Sequence, residues 1–113
     1  MYFSPKSNQR RERRLVFVID GSVPELDIGN GLGTLVENSD GNYTITFNKA
    51  FTRTPACLHS VNSDVSTTRL VAISTTAVQI EQVGADQTTP LADSDITLEV
   101  IGWDTADEYS ELT

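Results

Sequence analysis

The sequence predicts an all-β chain: an antiparallel sandwich of about six to eight short strands, preceded by an extended N-terminal arm. Three observations lead there. Thr, Ser, Val and Ile are abundant, and branched side chains fit the pleated surface of a strand better than the crowded surface of a helix. The segment Tyr43-Thr44-Ile45-Thr46-Phe47 alternates apolar and hydroxylic residues with period two, the mark of a strand with one buried face. No segment of ten or more residues has helical apolar spacing.

The elements follow in order. Residues 1–14 read as a basic arm containing Pro5, residues 15–103 as the sandwich, and residues 104–113 as an acidic tail. Leu15-Val16-Phe17-Val18-Ile19 is a short β run closed by Asp20-Gly21. Residues 22–33 hold Pro24, Gly29, Gly31 and Gly33 and read as a loop of tight turns. Thr34 to Glu37 resumes as strand, Ser39-Asp40-Gly41 signals a hairpin, and the alternating strand from Tyr43 follows. After Asn48 the segment Ala50-Phe51-Thr52-Arg53-Thr54-Pro55 forms a corner. Strands are expected over 56–61, 69–74 and 77–83, with a polar turn over 62–67 and a loop holding Gly84 and Pro90. Ile96 to Trp103 is the last strand. Seven short strands at such intervals, without helices, make a sandwich or barrel.

The 113 residues supply one domain. Hydrophobic residues at 38% and charged residues at 21% place the chain among folded domains. No run approaches the roughly 18 apolar residues of a membrane helix. The basic N-terminus precedes only five apolar residues, too few for a secretory signal, so synthesis and assembly in the cytoplasm are expected. Cys57 is the single cysteine, which excludes an intrachain disulfide and a cysteine zinc cluster. A domain this small, without covalent ties, gains from burying surface between copies, so a homo-oligomer is expected.

The net charge of −8 hides an asymmetry. Lys6, Arg10, Arg11, Arg13 and Arg14 against Glu12 give the first 14 residues +4, and the remainder carries −12. A basic arm on an acidic body points to docking on an acidic surface or a neighbouring copy, the plain alternative being a solvated tail. Nucleic acid is disfavoured as a partner, because the body repels phosphate. Exposed ion pairs contribute little to folding, so removal of residues 1–14 is expected to leave melting nearly unchanged while weakening attachment to a partner.

No catalytic, metal or cofactor site is expected. Gly29-Asn30-Gly31-Leu32-Gly33 lacks the helix and lysine that a phosphate loop requires and reads as a turn. Cys57 and His59 alternate onto one side of a strand, but at i and i+2 they lie roughly 7 Å apart, too far for a thiol and its base. Asp86 with Asp93-Ser94-Asp95 reads as solvated loop acids rather than a calcium site. Trp103 is expected in the core or a subunit interface; exposed, it would stack on a sugar or a partner.

The stretch Gly33-Thr34-Leu35, then Asp40 through Phe51, then Pro55, resembles a pattern of small phage virion proteins and phage fibre domains. In that pattern a G-x-Y-T-I-T-F strand leads to an aromatic corner and a proline. Ser74-Thr75-Thr76 leading into Val78 and Ile80, and the ending Val100-Ile101-Gly102, match its later hairpin and final strand. The likeness spans roughly residues 15–103. More loosely, the arrangement is similar to H-type lectin domains, six-stranded glycan-binding sandwiches that form trimers. The resemblance implies a non-catalytic virion structural protein. A separate short chain beginning at Met1 fits a capsid decoration protein on a major capsid or other virion protein, or a knob or tail accessory protein. A homotrimer follows from the same likeness, with glycan-binding host attachment as the alternative role.

Overall fold

The computed structural model describes residues 11–62, 66–84 and 94–104. Eight strands follow one another: β1 (Arg11–Asp20), β2 (Glu25–Ile28), β3 (Gly33–Ser39), β4 (Asn42–Phe47), β5 (Ala56–Val61), β6 (Ser66–Ile73), β7 (Ala77–Gly84) and β8 (Ile96–Asp104). They form two four-stranded antiparallel sheets, ordered β2-β1-β8-β5 and β3-β4-β7-β6. The predicted antiparallel sandwich is thus the observed fold. Among the described residues no helix is long and apolar enough to cross a membrane.

Alternation builds the core. Leu15, Phe17 and Ile19 of β1 and Ile96, Leu98 and Val100 of β8 point inward from the first sheet. Tyr43, Ile45 and Phe47 of β4 and Val78 and Ile80 of β7 meet them from the second, all with at most 5% exposure. Burying each such side chain contributes about 1.5–3 kcal/mol, which sets the register, since a one-residue slip would turn all of them to water. The hairpin between β3 and β4 turns at Asp40-Gly41, where Gly41 takes φ 73°, a left-handed conformation that glycine adopts without penalty.

The stretch 22–33, expected to be a loop, contains β2. Only Leu26 of this four-residue strand packs toward the core, while Glu25, Asp27 and Ile28 face solvent. One inward residue leaves no periodicity to read. The glycine-rich segment after it is a turn, as expected: the Leu32 amide donates to the Gly29 carbonyl at 2.8 Å, and a strand follows.

The corner after β4 closes one end of the sandwich. The Phe51 amide donates to the Thr75 carbonyl at 2.8 Å and the Asn48 amide to the Leu32 carbonyl at 2.9 Å. The Phe51 ring stands edge-on to Phe47 with centroids 5.3 Å apart. With Pro55 it packs against the bare backbone of Gly102, where an added Cβ would lie 2.4 Å from Phe51 Cδ1 and 3.0 Å from Pro55 Cβ.

Two boundaries move. The basic arm was expected to run to residue 14, yet β1 already begins at Arg11 and pairs Arg11 with Asp104, Glu12 with Trp103, Arg13 with Gly102 and Arg14 with Ile101. Charged side chains bonding across strands, rather than apolar ones, hold this stretch in the sheet. At the other end Asp104, placed in the tail, is the last residue of β8. Lys6, Arg10, Asp86, Asp93 and the remainder of the tail lie outside the described residues.

Candidate functional site

The arginines of the expected docking arm have separate fates. Arg13 is turned into the protein. Its Nη1 donates to the Lys49 carbonyl at 2.8 Å and its Nη2 to the Ala50 carbonyl at 2.7 Å. Nη2 also donates to Asp104 Oδ1 at 3.0 Å, with side-chain exposures of 18% and 8% for the pair. The guanidinium lies 3.9 Å from the centroid of the Phe51 ring, a cation–π contact that also covers the ring. Arg13 is therefore a tie between β1, β8 and the corner, a correction to its expected docking role. Arg14 points to the outside, where it bonds Glu99 at 2.9 Å and approaches Glu12 at 3.6 Å. Arg11 is exposed at the start of β1, opposite Asp104.

Trp103 is on the surface, 42% exposed, rather than in the core. Its neighbours Gly102 and Asp104 point inward with Val100, so β8 parity sends Trp103 outward with Ile101, Glu99 and Thr97. Cross-strand pairing then maps the outer face of the β2-β1-β8-β5 sheet. Glu12 stands beside Trp103, and Arg14, Ile101 and Ala56 form the next row. Val16, Glu99 and Leu58 form a third row, and Ile28, Val18, Thr97 and Ser60 a fourth. Val16, Ile28, Leu58 and Trp103 are exposed there, with Leu58 at 59%. The charges on this face, Glu12, Arg14 and, between Val16 and Leu58, Glu99, are paired through Arg14.

The outer face of the other sheet exposes Val36 beside Thr44 but is otherwise largely polar and bonded to itself. Asn38 Nδ2 donates to Asn42 Oδ1 at 2.9 Å and to Thr44 Oγ1 at 2.8 Å, and Gln79 Nε2 donates to Asn42 Oδ1 at 2.9 Å. Glu81 accepts from Arg69 and, at 3.3 Å, from Asn42 Nδ2. Such a face is satisfied by itself and by water. The two outer faces thus differ in kind, and the apolar one is the candidate interaction surface.

That face was legible in part. Leu15 to Ile19 is apolar at both parities, as is the end of β8 from Val100 to Trp103. Continuous apolar runs mark strands covered on both faces, but the pairing that unites Val16, Ile28 and Leu58 with Trp103 depends on topology.

Cys57 and His59 share the inward side of β5, beside Val100 and Leu98. His59 Nδ1 lies 2.6 Å from Thr68 Oγ1, joining the two sheets at their open side. Burial pushes the Cys57 thiol up to about 11. Thiolate is the reactive form, so alkylation of native Cys57 at pH 8 should run roughly 100-fold slower than that of a free thiol. Timed iodoacetamide labelling with mass spectrometry checks this, and a rate matching the urea-unfolded chain would contradict it. Among the described residues no group of three or more His, Cys, Asp or Glu side chains is placed to hold a metal ion. A surface depression of about 370 Å³ between β2 and β3 has Glu25 as its one ionisable lining residue.

Comparison with protein-family models, with curated proteins and with solved structures finds no match.

Proposed function

We propose that this chain is a non-catalytic structural component of a bacteriophage particle, a capsid decoration protein that docks through the outer face of the sheet bearing Trp103. One observation carries the docking role: β1 and β8 present apolar side chains on both faces, and the fold covers only one of them. An uncovered apolar face of this kind marks an interaction site. The phage assignment draws on the resemblance carried by Gly33 to Pro55 and by Val100 to Gly102. The packing of Phe51, Pro55 and Gly102 gives three of those motif positions a common structural purpose. The N-terminal segment with Lys6 and Arg10 leads into Arg11, at the same end of the sheet as Trp103, and supplies positive charge toward an acidic virion partner.

Three changes test this on purified particles by quantitative mass spectrometry. Trp103→Glu should sharply lower incorporation while leaving the isolated fold intact, because the side chain is already exposed. Removing residues 1–10 keeps β1 whole and should weaken attachment, as should raised salt. Normal incorporation of both variants would refute the docking surface, and absence of the chain from particles would refute the virion role.

A glycan-binding attachment module is the second reading, favoured by an exposed indole flanked by Glu12 and by Arg14 in the next row. An aromatic face beside hydrogen-bonding groups suits a sugar ring. Tyr43, fully buried, contributes nothing to it. Glycan-array binding lost in Trp103→Ala, with incorporation unchanged, would select this reading over decoration.

A further inference from the structure

We propose that β5 is a self-pairing edge, through which two copies join antiparallel about a twofold axis at His59 into one continuous eight-stranded sheet. The sandwich has four edge strands, and three of them carry devices that discourage strand addition. Strand β2 has four residues, two of them the acids Glu25 and Asp27. Strand β3 has a register shift between Glu37 and Ser39, and β6 has one between Leu70 and Ala72 beside Arg69. Strand β5, Ala-Cys-Leu-His-Ser-Val, has neither a charge nor a bulge, and its register with β8 is unbroken over six residues.

The free backbone groups of β5 follow from its ladder. The Asn62 amide donates to the Asp95 carbonyl at 3.0 Å, which fixes Asn62 and Asp95 as a hydrogen-bonded pair. Alternation along an antiparallel ladder then turns the N–H and C=O of Ser60, Leu58 and Ala56 toward β8, and those of Cys57, His59 and Val61 outward. Among the described residues none of these outward groups bonds elsewhere. The three are self-complementary. With the axis at His59, Cys57 meets the second copy's Val61, His59 meets His59, and Val61 meets Cys57. Shifting the register toward Pro55 forfeits a donor, because proline has no N–H.

The occupant is a second copy for two reasons. Between two chains of net charge −8, the β2 edge would set Glu25 and Asp27 against the same acids of a twin, whereas β5 brings no acid to its own. The pairing also covers Leu58, the most exposed of the large hydrophobic side chains described, against Ser60 of the second copy. An edge about 20 Å long buries less than the ~800 Å² per partner of a standard interface. The contact is therefore weak in dilute solution and is filled where copies are crowded, as on a particle lattice. It takes Leu58 from the border of the apolar outer face but leaves Val16, Ile28 and Trp103 free, and it does not depend on the docking role proposed above.

Sedimentation equilibrium and amide hydrogen exchange on the purified chain, from about 10 µM to 1 mM, test the proposal. Wild type should dimerise as concentration rises, and exchange at residues 57, 59 and 61 should slow with it. Leu58→Lys places two cations diagonally across the axis, and His59→Pro removes an outward N–H that the β8 ladder does not use. Each should weaken dimerisation at least about tenfold, while Val36→Lys on β3 and Trp103→Glu on the outer face leave it unchanged. A chain that stays monomeric to 1 mM, or a dimer lost in Trp103→Glu but kept in Leu58→Lys, overturns the assignment.

Discussion

Replacing Arg13 by alanine is expected to destabilise the fold by about 3 kcal/mol, whereas the same change at Arg14 costs less than about 1 kcal/mol. The two arginines are adjacent in sequence and belong to one basic cluster, so composition cannot separate them. Burial and partners do. Arg13 satisfies the carboxylate of Asp104, which is 8% exposed at its side chain, and reaches the carbonyls of Lys49 and Ala50. Without the guanidinium, Asp104 keeps Lys49 Nζ at 3.8 Å, and that lysine is 61% exposed. A nearly buried charge loses its close partner, and the corner loses two hydrogen bonds and the cation over Phe51. Arg14 is 52% exposed and pairs with Glu99 and Glu12 in water. Urea denaturation of the two variants gives the comparison directly. Arg13→Ala combined with Asp104→Asn should recover part of the loss, because the second change removes the stranded charge. Equal costs at both positions would show that Arg13 is a surface residue after all. The same reasoning revises the expectation for the arm. Removal of residues 1–14 takes four residues and the Arg13 tie out of β1, so it should lower the melting temperature, and removal of residues 1–10 should not.

Much of the architecture was legible because it follows from local alternation. The inward sets of β4 and β8 read directly from Tyr43-Ile45-Phe47 and Ile96-Leu98-Val100, and Asp40-Gly41 placed the hairpin. The start of β1 was not legible, since its pairing rests on ions contributed by residues 85 and 91 positions away. No local pattern marks Arg13 as inward and Arg14 as outward. Trp103 illustrates a conflict between two signals. Its size argued for the core or a subunit interface, while parity counted from Ile96 sends position 103 outward, and parity excludes the core because strand geometry allows no half-step. The candidate face lies between these cases: its double apolar runs stand in the sequence, but only the β2-β1-β8-β5 order places Ile28 and Leu58 on the same surface as Trp103.

Gly102→Ala should be strongly damaging for a change of one methyl group, at the upper end of the ~1–3 kcal/mol typical of overpacking. The new Cβ would meet Phe51 Cδ1 at 2.4 Å and Cε1 at 2.7 Å, distances that side-chain contacts do not tolerate. Relief requires the ring to move, and it is held on every side. Phe47 abuts it edge-on at 5.3 Å, the Arg13 guanidinium covers it at 3.9 Å, and its own amide is bonded to Thr75. The backbone of residue 102 has little freedom either, lying in β8 opposite Arg13. For a domain of this size the loss corresponds to roughly 10–20 °C in melting temperature. Phe51→Ala removes both struck ring atoms and should itself cost stability through lost packing. In the Gly102→Ala background, however, the same change should cost far less, or restore stability, because the added methyl then has space. That sign of coupling in a double-mutant cycle is the specific signature of a glycine that makes room for an aromatic corner. Melting of Gly102→Ala within a degree or two of wild type would mean that the corner adjusts freely. Phe51, Pro55 and Gly102 would then be neighbours without being a packing unit.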